Sequence, residues 1–165
     1  MKKFIVKHKI LTGVLIILTV ALAWFVAITK HLDIPSRGIE QIKLDGFLGK
    51  RMCFVNNEVV ENIVDILNSY IVTDASFDDI QGSHSPNAII RIYYDGGKNV
   101  QIYQLYNYGL IYHVNENKYY KKIFGGFLAE EITEEFSKYK HMSIPYDWDY
   151  EEEKSEIKST TYYVD

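Results

Sequence analysis

Residues 88–123 read AIIRIYYDGGKNVQIYQLYNYGLIYHVNENKYYKKI. Apolar and aromatic runs alternate with turn residues about every ten positions, the spacing of an antiparallel meander. Residues 88–94 are β-branched and aromatic and end on Asp95-Gly96-Gly97. That triplet is a hairpin signal, because glycine accepts positive φ without steric cost. Residues 100–106 form the return strand, Asn107-Tyr108-Gly109 the next turn, and 110–114 a third strand. Asn115-Glu116-Asn117 is a further turn, and 118–123 a fourth strand. Side chains alternate across a strand. Ile90, Ile92 and Tyr94 therefore share one face, and Ile89, Arg91 and Tyr93 the other. One face is expected to pack on helix. The other is expected to display tyrosines with Arg91, Gln101, His113 and lysines.

Working back from the meander, residues 39–44 suit a first strand and 51–55 a second, with Gly46 and Gly49 bracketing a bend. Asn56 or Asn57 caps a helix with Glu58 in its first turn. Val59, Val60, Ile63, Ile66, Leu67 and Tyr70 follow its apolar spacing. Residues 73–87, TDASFDDIQGSHSPN, read as a long polar loop. After the meander, Gly125-Gly126 ends the sheet, and 127–139 form a second amphipathic helix with glutamates on its outer side. From residue 142 the chain is acidic and aperiodic, which predicts a flexible tail. The expected fold class is α+β: an N-terminal transmembrane helix, then an antiparallel meander of four to six strands packed with two helices.

Ahead of the domain, residues 10–29 carry no charge and follow the basic tail MKKFIVKHK. Twenty helical residues span ~30 Å, the hydrocarbon thickness of a bilayer. The run is longer than the core of a cleaved signal peptide. Ala21-Leu22-Ala23 and Ala27-Ile28-Thr29 are the small-residue sites at which cleavage would occur. The reading adopted is an uncleaved signal anchor at 10–29. The expected organisation is a cytoplasmic tail at 1–9, a linker at 30–38, a domain at 39–141 and the acidic tail at 142–165. Lys2, Lys3, Lys7 and Lys9 outnumber the cations just beyond the span, so the positive-inside rule leaves the N-terminus cytoplasmic and the domain extracellular.

Beyond Lys9 the chain holds 14 basic and 22 acidic residues, a net charge near −8. That disfavours nucleic acid and anionic lipid as partners of the domain. Cys53 is the one cysteine, so no intrachain disulfide forms. An extracytoplasmic domain without disulfides, rich in Lys, Ile, Asn and Tyr, points to the envelope of a low-GC Gram-positive cell.

No catalytic or nucleotide motif appears, no metal or cofactor is expected, and the chain is read as non-enzymatic. Cys53 lies in an apolar strand and reads as packing. The sequence Asp147-x-Asp149-x-Glu151 lacks the turn glycine and distant glutamate of a calcium loop. The expected binding surface combines Arg91, Tyr93 and Tyr103 of the sheet with Ser83, His84 and Asn87 of the loop. Tyrosine joins large contact area to a polar end, which suits recognition. It also stabilises sheets as cross-strand ladders.

The strand run from Ile89 to Gly97, then 100–106, Tyr108 to Tyr112 and Lys118-Tyr119-Tyr120, resembles small membrane-anchored extracytoplasmic domains of unknown function from low-GC Gram-positive bacteria. In these a short helix precedes a tyrosine-rich meander. The resemblance covers residues 39–140 and implies neither an activity nor functional residues. The leading expectation is a binding or accessory domain with an envelope protein as partner. The alternatives are an immunity-like protein that blocks a toxin at the envelope, and a small envelope hydrolase built on His84, Cys53 or the loop acids.

Overall fold

The computed structural model describes residues 2–79, 85–123 and 128–144. The chain divides into two units, residues 1–30 and 31–165. The first unit is one helix, α1 (Lys2–Ile28). Its segment Leu11–Ile28 has a mean hydropathy of 2.6 and is not buried against protein. It is long and apolar enough to cross a membrane.

The second unit is α+β. Its strands are β1 (Ile39–Asp45), β2 (Arg51–Phe54), β3 (Val72–Ala75), β4 (Ala88–Tyr94), β5 (Asn99–Leu105), β6 (Leu110–His113) and β7 (Lys118–Lys122). Its helices are α2 (Asn57–Ser69) and α3 (Leu128–Ser137). The strands form one antiparallel sheet in the order β2-β1-β4-β5-β6-β7-β3. The sheet therefore has seven strands rather than four to six. The extra one is β3, in a stretch expected to be loop. It pairs with β7, matching Val72 to Lys122 and Ala75 to Tyr119. Its side chains carry little apolar pattern, and its partner lies more than forty residues on.

α2 begins where expected. The Asn56 side chain accepts from the Val59 N–H at 3.2 Å, satisfying one of the donors a helix start leaves open. Val59, Val60, Ile63, Val64 and Leu67 are buried. Each contributes about 1.5–3 kcal/mol by leaving water, and Ile63→Ala would cost ~2–5 kcal/mol. The helix ends as Tyr70 turns to extended backbone.

Both helices bury their apolar sides in one core with Ile42, Leu44, Met52, Phe54, Ala88, Ile90, Ile92, Tyr94, Tyr103, Leu105, Ile111 and Tyr120. In β4 the inward set is the expected Ile90, Ile92 and Tyr94. Leu32 and Ile34, within the expected linker, also pack on this core. The amide of Asn68 holds Ile34 by its N–H at 2.8 Å and its C=O at 2.9 Å, and the Asn68 carbonyl lies 2.7 Å from His31 Nδ1.

α3 sits against the β1–β2 connection. Phe47 N–H donates to Thr133 Oγ1 at 2.9 Å. A Cβ at Gly46 would come within 2.7 Å of that oxygen, so the approach needs glycine. The connection places Leu48 and Gly49 in left-handed backbone, and the β5–β6 connection does the same with Tyr108 and Gly109. Two successive positive φ angles match the twist of a tight hairpin. For Leu48 this conformation costs roughly 1–2 kcal/mol, and its side chain is 84% exposed. Of the expected tail, Met142 ends a 3-10 turn and Ile144 pairs with Cys53 at the sheet margin. Residues 145–165 lie outside the described residues.

Candidate functional site

Register decides which tyrosines reach solvent. β4 pairs with β5 so that Ile90 faces Tyr103 and Arg91 faces Ile102. Cross-strand partners share a face, so Tyr103 lies on the helix-covered side with Ile90. β5 pairs with β6 so that Tyr103 faces His113 and Gln104 faces Tyr112. His113 is therefore on the covered side, and Tyr112 on the other. β6 pairs with β7 so that Tyr112 faces Tyr119.

The outcome is two aromatic stacks on opposite faces of neighbouring strands. On the covered face the rings of Tyr103 and His113 lie 4.4 Å apart at 12°. On the helix-free face Tyr112 and Tyr119 lie 4.4 Å apart at 15°. Tyr103 and His113 are buried, whereas Tyr112 and Tyr119 are half-buried.

The expected display of Tyr93, Tyr103, Arg91 and His113 is thus corrected. All four are buried, and Tyr103 and His113 face the helices. Tyr93 and Arg91 do lie opposite the helices, where Lys43 Nζ sits 4.8 Å from the Tyr93 ring centre. Asn87 is half-buried at the start of β4, and its Oδ1 is buried without a hydrogen bond. Ser83 and His84 lie outside the described residues. The structure brings Arg91 and Tyr93 together and sets Tyr103 on the other side of the sheet.

A signal for this division stands in the sequence. Gln101-Ile-Tyr103 and Gln104-Leu-Tyr106 repeat one triplet in a strand whose side chains alternate every two residues. One copy must land on each face. In both copies the hydroxyl donates to the glutamine two residues back, Tyr103 to Gln101 at 3.0 Å and Tyr106 to Gln104 at 2.8 Å.

Around the exposed stack lie Gln104, Tyr106 and the exposed Lys121. Burial pushes the Tyr106 hydroxyl up to about 12, aided by Tyr119 and Tyr112. Burial also raises Tyr112 and Tyr119, the latter aided by Tyr112. These hydroxyls are neutral hydrogen-bonding groups at physiological pH. Tyr112 donates to Asn117 Oδ1 at 2.9 Å, which fixes its ring from the far end.

The connection between β6 and β7 does more than reverse the chain. Asn115 Oδ1 accepts from Ile102 N–H at 2.8 Å, and its Nδ2 donates to Val100 C=O at 2.7 Å. One amide thereby occupies the edge of β5 where β6 has ended, an economical way to blunt a strand edge. Beyond it lies an open, mostly polar groove of about 650 Å³, lined by Arg37, Tyr94, Lys98, Asn99, Gln101 and Asn115 among others.

Cys53 is buried opposite the helices in β2, 3.7 Å from Gln41 Oε1. Burial raises its thiol above the usual value, and Lys43 only partly opposes this. A thiol so placed is a poor nucleophile. Among the described residues no cluster of His, Cys, Asp and Glu has a metal-binding arrangement. Compared with family models, with curated proteins and with solved structures, the chain matches none.

Proposed function

We propose that this chain is a single-span envelope protein whose domain lies outside the cytoplasm and holds a protein partner without catalysing a reaction. The observation that carries the reading is the Tyr112–Tyr119 pair, stacked and half-exposed on the helix-free face. A partner would meet two rings already held in place, so little side-chain freedom is lost on contact. Gln104 and Lys121 supply polar groups at the margin. The raised thiol of Cys53 and the burial of His113 support a non-enzymatic role. The span and its orientation rest on α1 and the basic residues before it.

A photoreactive residue at position 119 in the full chain, expressed in intact cells, is expected to give one discrete protein adduct. The same residue at position 61, on α2, is expected to give none. Equal labelling from both positions, or none from 119, would remove the ledge as the contact. Protease added to intact protoplasts is expected to remove the domain, and a C-terminal tag that stays protected would reverse the topology.

A further inference from the structure

We propose that the turn joining β6 to β7 is an acid-operated latch, in which a proton taken up by His113 releases the hold of Asn115 on β5 and of Asn117 on Tyr112. The inference deepens the binding role given to the Tyr112–Tyr119 ledge by supplying its regulation.

Three side chains in five residues each do a different task at this turn. His113 is 5% exposed and lies flat on Tyr103. Its Nε2 is buried with no hydrogen-bond partner, and its Nδ1 is 3.8 Å from Glu116. Asn115 grips the β5 backbone at two points. Asn117, in left-handed backbone, accepts from Tyr112. Each grip depends on where the 113–117 backbone runs.

The neutral ring tolerates this site, because one nitrogen without a partner is a modest cost. The imidazolium does not. Both its nitrogens must donate, and Nε2–H would then be a charged donor without an acceptor. Among the described residues Glu116 is the one anion acting on the ring, and its carboxylate is already 2.6 Å from Lys118 Nζ. Lys118, paired with His113 across the strands, opposes the proton. The hydroxyls of Tyr103 and Tyr94, both raised by burial, are neutral in this range. Burial accordingly holds His113 below the ordinary imidazole value of 6.5. The protonated ring reaches water by leaving Tyr103, which moves the backbone bearing Asn115 and Asn117.

The test uses the full chain in lipid nanodiscs and needs no ligand, so its outcome is independent of whether the ledge binds a partner. Amide exchange of Ile102, whose N–H is held by Asn115, is followed from mild alkali to mild acid and corrected for intrinsic exchange. In the wild type, opening is expected to rise by up to about tenfold per pH unit below 6.5, the slope of one proton. His113→Phe keeps a ring for the stack and removes the proton site, so its profile is expected to be flat. Glu116→Gln removes an attraction for the proton in the closed turn, so the rise in opening is expected to continue to lower pH before it levels off. A flat wild-type profile, or the same slope in His113→Phe, overturns the latch. If His113→Phe does not fold, an unmoved levelling point in Glu116→Gln overturns it instead.

Discussion

The stacks Tyr103–His113 and Tyr112–Tyr119 have the same ring separation and nearly the same angle, and they share strand β6. One lies under the helices with the core residues Leu105 and Ile111. The other lies on the opposite face, where neither α2 nor α3 packs. Composition does not separate them, since β6 and β7 each supply one aromatic residue to either side. Their difference comes from register alone. A one-residue slip in the pairing of β5 with β6 would turn His113 outward, break its contact with Tyr103, and carry Tyr112 to the covered side.

The two stacks should therefore respond oppositely to the same substitution. Tyr103→Ala removes a buried ring from both the core and His113, and about 3–4 kcal/mol of unfolding free energy is expected to be lost. A loss below about 1 kcal/mol in chemical denaturation would show that the covered stack is not core. Asn115→Ala leaves the Ile102 N–H and Val100 C=O without their partners, for an expected loss of about 2 kcal/mol. The effect should be visible as earlier exchange of the Ile102 amide.

Acid should act on the covered stack only. The folded-state pKa of His113 lies below the unfolded value, so the folded form binds fewer protons. Its contribution is fully present above 6.5 and declines as the pH falls from there to the folded-state value. Thermal midpoints of His113→Phe are expected to vary less with pH across this window than those of the wild type. Tyr112→Ala should have the smallest effect on folding, about 0.5–1 kcal/mol for a half-exposed cross-strand pair. It should nevertheless abolish the adduct formed from position 119. Retention of that adduct with normal folding would make the outer stack a structural ladder.

Much of the fold was legible because local chemistry and periodicity agree. Asp95-Gly96-Gly97 closes the β4–β5 turn with three successive positive φ angles, as its glycines imply. Asn56 caps α2, and the spacing of its apolar residues matches its buried side. β3 escaped because VTDA is short and half polar, and is a strand only through β7. The facing of Tyr103 escaped for a related reason. Alternation fixes faces within a strand, whereas between strands the facing depends on the number of residues in the turn. Tyr94 pairs with Asn99 across four turn residues, and this places Tyr103 beside Ile90. The outer stack was visible as tyrosine content, but no local pattern told the outward rings from the inward ones.

The amide of Asn68 has a mechanical meaning. It bonds both polar backbone groups of Ile34, and the backbone carbonyl of Asn68 meets the His31 ring. A tug arriving along the chain from the apolar helix meets these bonds before it meets any strand. Asn68 is thus a strain relief, like the clamp where a cable enters a housing. Load arriving ahead of His31 would be spent on these few hydrogen bonds, while the sheet stays whole.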